Sequence, residues 1–136
     1  MRFVFVVCVL PVLWLPAAAQ HFDSLSYGPA IVTVSGVVVR DTFPGPPNFE
    51  SVSRGDEAEA YWVLELAMPV YVRPSSDEGA EDSVSRMQLV FKDVADYDKY
   101  RLLLGNGVNV TGTLMHAMSA HHHTKVLIIV KNMVAE

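Results

Sequence analysis

AIVTVSGVVVR, residues 30–40, carries the clearest strand signal in the chain. Val32 and Val34 alternate with Thr33 and Ser35, and β-branched residues dominate, as expected of a strand with one buried face. Gly36 interrupts the run. A glycine inside a strand weakens it and marks a bulge or a bend where another backbone comes close. A long first strand bent at a glycine can serve two sheets at once.

Residues 41–60, DTFPGPPNFESVSRGDEAEA, read as a 20-residue connection. Pro44, Pro46 and Pro47 oppose helix and sheet interior. A loop of this length inside a small domain is either functional or disordered. Phe43 and Phe49 are apolar anchors, which favours a loop folded onto the body. A second strand follows over 61–72, with Trp62, Leu64, Leu66 and Met68 on one face. Residues 73–85 read as a solvated acidic link. Residues 86–91 form a third strand with Met87, Leu89 and Phe91 inward. Residues 93–104 are the one convincing helix. Asp93 suits its N-cap, Tyr97, Tyr100, Leu103 and Leu104 form an apolar stripe, and Gly105 is a natural C′ residue. Residues 108–116 alternate cleanly. The last strand, 124–133, is apolar on both faces from Val126 to Val130, so it is central or covered.

This order predicts a mainly β protein: a small five-stranded OB-like Greek-key barrel with one helix between strands three and four. An open α+β sheet with the helix on one side has the same periodicity and stays open as an alternative. Residues 20–28 read as a loose lead-in.

The chain has 136 residues, 51% of them apolar, and a formal charge of −5. Much of the apolar excess lies at the start. Arg2, the apolar run 3–10 and its continuation 12–15, Pro16 and the small residues Ala17, Ala18 and Ala19 form a secretory-signal pattern. Pro11 interrupts the run, which argues against a membrane anchor. The expectation is a signal peptide over 1–19 and a single OB-like domain over 20–136, periplasmic or secreted, with no membrane span after cleavage. The only cysteine, Cys8, falls in the leader. Beyond it, disulfides, thiolate metal sites and cysteine nucleophiles are excluded. Without Arg2 the chain carries 9 basic and 15 acidic residues, the wrong sign for a nucleic-acid partner.

The stretches GPAIVTVSGVVVRDTFPGPPNFESVSRGDE, YWVLEL, YDKYRLLLGNGVNVTGTL and HAMSAHHHTKVLIIV resemble the bacterial domain-of-unknown-function family 4431 (DUF4431) over about residues 29–130. The PGPPNFES and HHHT segments are the most specific parts. The resemblance implies a small exported bacterial domain with no established catalytic residues, so it supplies no active site.

Two constellations carry chemistry. His116, His121, His122 and His123 flank the turn between the last two strands. In a hairpin His116 would lie near His121 or His123, and cross-strand imidazoles can share a zinc or copper ion. Met115 and Met118 would add soft ligands for cuprous copper. The competing reading is a histidine-rich surface whose rings pack or hydrogen-bond. The second constellation is Phe43, Pro44, Pro47, Asn48 and Phe49, which form either a rigid apolar ridge for a partner or a cover for the barrel. The acids from Asp56 to Glu59 read as a solvated charge run. No Ser–His–Asp order, phosphate loop or HExxH pattern is present. The favoured expectation is a non-enzymatic binding module of the cell envelope, meeting a protein or another envelope component and needing no cofactor. The alternative is a periplasmic zinc- or copper-binding protein that uses the histidine hairpin.

Overall fold

A computed structural model describes residues 24–136. The expected signal peptide and cleavage site, and Cys8, lie outside the described residues. Among the described residues there are six strands: β1 (Ser24–Ser26), β2 (Val32–Pro44), β3 (Ala58–Arg73), β4 (Glu81–Val90), β5 (Gly107–His116) and β6 (Val126–Ala135). Helix α1 (Ala95–Tyr100) continues into a 3-10 turn, Arg101–Leu103. Neighbours run β3-β2-β5-β6-β4, and β4 pairs back onto β3. That last pairing closes the five long strands into an OB-like barrel and excludes the open α+β sheet. Among the described residues, no helix is long and apolar enough to cross a membrane.

Closure depends on β2. Residues 32–37 pair with β5, and residues 36–44 pair with β3. The handover falls at Gly36, where an added Cβ would overlap the backbone carbonyl of Glu65. Gly112 repeats the device in β5, where a Cβ would overlap the carbonyl of Ile129 at the shift in the β5–β6 register.

Alternation then fills the interior. Val108, Val110 and Leu114 of β5 face Val34 and Val38 of β2, Leu64 and Val72 of β3, Met87 and Leu89 of β4, and Val126, Ile128 and Val130 of β6. Trp62 is buried in this core. Tyr100 of α1 enters the core, and Tyr97 packs edge-on against Trp62 and Phe91, with ring centroids 5.4 and 4.7 Å apart. Asp93 acts at the helix start by accepting the Ala95 N–H at 2.9 Å, although the formal cap is Val94. Gly105 takes the left-handed conformation after the helix, with φ 83°, and its N–H donates to the Val38 carbonyl.

Several strand boundaries differ from the sequence reading. The connection 41–60 shrinks to 45–57, because the β2–β3 ladder runs on to the pair Pro44–Ala58. Pro44 is tolerated as the last residue of its strand. The link 73–85 is also shorter, because Glu81–Ser85 belong to β4. Phe91 lies just past β4 and packs on the core. Met68 is exposed rather than inward. Glu65 pairs with Arg86 and Val70 with Val84, so the four residues 66–69 stand opposite Ser85 alone, and this bulge breaks the two-residue alternation. From Ser24 the lead-in is built into the fold: β1 pairs in parallel with β3, and Tyr27 is buried.

Gly36→Ala will lower unfolding stability by about 1–3 kcal/mol in urea titrations, because backbone rather than a flexible side chain blocks the new methyl. Gly79→Ala, which meets open space, will change stability by less than about 0.5 kcal/mol.

Candidate functional site

The loop 45–57 is built around one carboxylate. Asp56 Oδ1 accepts the backbone N–H of Asn48 at 3.0 Å and its side-chain amide at 3.1 Å. Oδ2 accepts the N–H groups of Glu50 and Ser51, both at 2.8 Å. Asp56 is buried, and the bonds from Ser51 and Glu50 hold its carboxyl below the ordinary carboxylate range. Backbone bonds from Gly45 to Glu57 and from Glu57 to Pro46 close the loop base. Gly55, at φ 110°, makes the turn that returns the chain to Asp56. The Asp56–Glu59 run is therefore not simply solvated. A short carboxylate just after a turn glycine, able to accept nearby backbone N–H groups, was the available signal.

The turn joining β5 to β6, residues 117–125, is tied to the outside of the barrel by Gln88. The Gln88 side-chain amide donates to the His121 carbonyl at 3.1 Å, and its oxygen accepts the His123 N–H at 2.8 Å. The Gln88 N–H donates to the Thr124 hydroxyl, which donates onward to the Val126 carbonyl. Val63 and Leu127 flank Gln88 in the sheet. Both are fully buried without belonging to the inner core. This explains why β6 is apolar on both faces.

The two loops meet. Phe43 stacks on His123, with centroids 4.4 Å apart and planes 3° from parallel. Phe49 meets His121 edge-on at 5.1 Å. Such aromatic pairs contribute about 0.5–1.5 kcal/mol beyond their buried area. Glu59, at the start of β3, lies between the rings. His121 Nδ1 is 2.8 Å from Glu59 Oε1 and 3.0 Å from Oε2, and His123 Nε2 is 3.4 Å from Oε2. The Tyr61 hydroxyl donates to Oε2 at 3.3 Å. The hydrogen bond from His121 is the main cause that holds Glu59 below its ordinary range. Pro47 and Asn48 are exposed, and Pro44 ends the β2–β3 ladder. The Asn48 amide is occupied by Asp56.

The four histidines do not form one group. His116 ends β5 opposite Val126, not opposite His121 or His123 as a tight hairpin would place it. The nine-residue turn swings away over β4 before β6 begins. The His116 ring sits on a separate carboxylate, with Nε2 2.8 Å from Glu81 Oε1 and Nδ1 3.3 Å from the Ala117 carbonyl. Lys125 shares Glu81 at 3.4 Å. His122 faces away from Glu59, and its Nδ1 accepts the Met118 N–H at 2.9 Å. Burial pushes the His122 ring below its ordinary value. Among the described residues, no three His, Cys, Asp or Glu side chains stand ready-made around a metal position.

Residues 86–133 match the model of a family described as "Domain of unknown function (DUF4431)". The match takes in most of β4, the helix, β5, the histidine turn and most of β6. It is the family the sequence resembles. The proline-rich loop lies outside the matched residues. No curated protein matches the chain.

Two outcomes follow from these contacts. Asp56→Ala will speed amide hydrogen exchange at Asn48, Glu50 and Ser51 while leaving the β5–β6 ladder protected. The Glu81 contact raises the His116 value above 6.5. That contact therefore stabilises the fold below pH 6.5, and its contribution is lost as pH rises through the raised value. The stability difference between wild type and Glu81→Gln will be largest in mild acid and will shrink in alkali. An NMR titration of the His116 ring will give a midpoint above 6.5 in the wild type, and a lower one in the variant.

Proposed function

We propose that this chain is an exported, non-enzymatic binding module of the bacterial cell envelope. Its working surface is the rim made by the loop 45–57 and the histidine turn, and its partner is a protein or another envelope component. The observation that carries this reading is the junction of the loop 45–57 and the strand ends beside it with the histidine turn, through the Phe49–His121 contact, the Phe43–His123 stack and the shared Glu59 carboxylate. Two segments some 70 residues apart in sequence are held in one geometry, and ligand sites on rigid scaffolds are commonly built from such loops. Pro47, Asn48 and Val52 stand exposed on this support. A preorganised rim loses little conformational freedom on binding.

Export is supported by the leader pattern over 1–19 and by a chain whose only cysteine is Cys8. An excess of acidic over basic residues disfavours nucleic acid as the partner. The absence from the sequence of a recognisable nucleophile or phosphate-binding motif supports binding rather than catalysis.

Cross-linking and co-purification from envelope extract test the reading. Wild-type protein will recover a specific partner. Phe49→Ala and Pro47→Ala will lose it, while Leu102→Ala, at an exposed apolar position on the helical segment, will keep it. Equal recovery by wild type and the two loop variants overturns the proposal.

A further inference from the structure

The rim also gathers the donor atoms of a metal site. We infer that Glu59, His121 and His123 bind one divalent transition ion, with zinc as the reference case and His116 taking no part. Two imidazole nitrogens and a carboxylate form a donor set suited to zinc or cupric copper rather than to a hard cation or to cuprous copper. Ligands about 2.1 Å from a tetrahedral zinc are separated from each other by about 3.4 Å. His123 Nε2 already lies 3.4 Å from Glu59 Oε2, and His121 Nδ1 lies 3.0 Å from the same oxygen. Each ring nitrogen thus already stands near ligand spacing from the carboxylate, and side-chain rotation has to bring the three donors around one point.

His121 and His123 are both hydrogen-bonded to Glu59, and the three groups are not arranged around a common point. Neutral rings bonded to Glu59 carry their protons on the nitrogens that face it. Entry of the ion shifts each proton to the other nitrogen of its own ring, so no proton is lost from a neutral pair. The movement falls to His121, whose side chain is 52% exposed, while His123 and Glu59 are 10% and 17% exposed. The less exposed pair forms the fixed half of the site and the exposed ring the mobile half, leaving a fourth position for water.

Outer contacts hold the fixed half. Phe43 lies flat against His123, the Tyr61 hydroxyl donates to Glu59, and Gln88 grips the turn on both sides of His122. Partners of this kind orient ligands and tune metal affinity. His122 points elsewhere, with its Nδ1 occupied by the Met118 N–H. His116 is engaged with Glu81. A bound ion would join the two loops more firmly than hydrogen bonds do, and binding to the folded form alone would raise thermal stability.

Calorimetric titration of untagged, metal-stripped protein with zinc at pH 7.5 tests this inference. One ion per chain is expected. Glu59→Gln, nearly isosteric, will weaken binding at least tenfold, as will His123→Ala, while His116→Ala will leave the affinity unchanged. Circular dichroism of each variant checks that the fold survives. Because His123→Ala also removes the Phe43 stack, the decisive comparison is Glu59→Gln against His116→Ala. Cobalt(II) offered in place of zinc will give the intense visible absorption of a four-coordinate site, and this will be lost in Glu59→Gln. Affinity that survives Glu59→Gln but falls in His122→Ala marks adventitious capture by the histidine run and overturns the inference, as does weak uptake of several ions per chain. The measurement needs no partner, so its failure leaves the binding-module reading untouched.

Discussion

A side chain at position 36 would occupy the space taken by the Glu65 carbonyl. Because glycine stands there, β2 bends and passes from β5 to β3 along its length. Without that handover the strands would form an open sheet with two free edges, a state exposed to edge-to-edge association. With it, β4 returns to β3 and every long strand gains a neighbour on both sides along part of its length. The interior then becomes a closed space that the alternating apolar residues fill.

Closure also sets the relation between the loops. The β2–β3 ladder runs past Tyr61 to Ala58 and carries Glu59 beyond the body of the barrel. The parallel pairing of β4 with β6 is short, from Gln88 to Val90. At its start Gln88, paired with Val63 and Leu127, also holds the histidine turn through its side chain. The turn is thereby laid over β4 toward Glu59. Each loop has its own internal support, Asp56 in one and Gln88 in the other. The contacts between them join two ordered pieces, which reduces the entropy lost in making the rim.

The distribution of histidines shows how polar partners divide a cluster that looks uniform in sequence. His121 and His123 both reach Glu59. His122 is turned away and satisfied by a local backbone N–H. His116 is taken by Glu81, which the longer β4 brings alongside it. Spacing along the chain set His116 beside His121 or His123, whereas the structure leaves only His121 and His123 on one carboxylate. Spacing did not identify that carboxylate, because Glu59 sits 62 residues from His121 and among acids whose composition reads as solvent-facing.

Local patterns therefore carried the barrel: alternation in β2 and β5, the glycine bend, the helix with Asp93 before it and Gly105 after it, and the doubly apolar β6. Each is a short-range consequence of backbone geometry and side-chain periodicity, so it is readable from neighbours in sequence. The burial of Asp56, the bulge that exposes Met68, the cover over Val63 and Leu127 and the gathering of Glu59 with two imidazoles were decided in three dimensions. They depend on strand register and on which loop crosses which face. Those are long-range quantities, and the residues at either end of such a contact bear no local mark of one another.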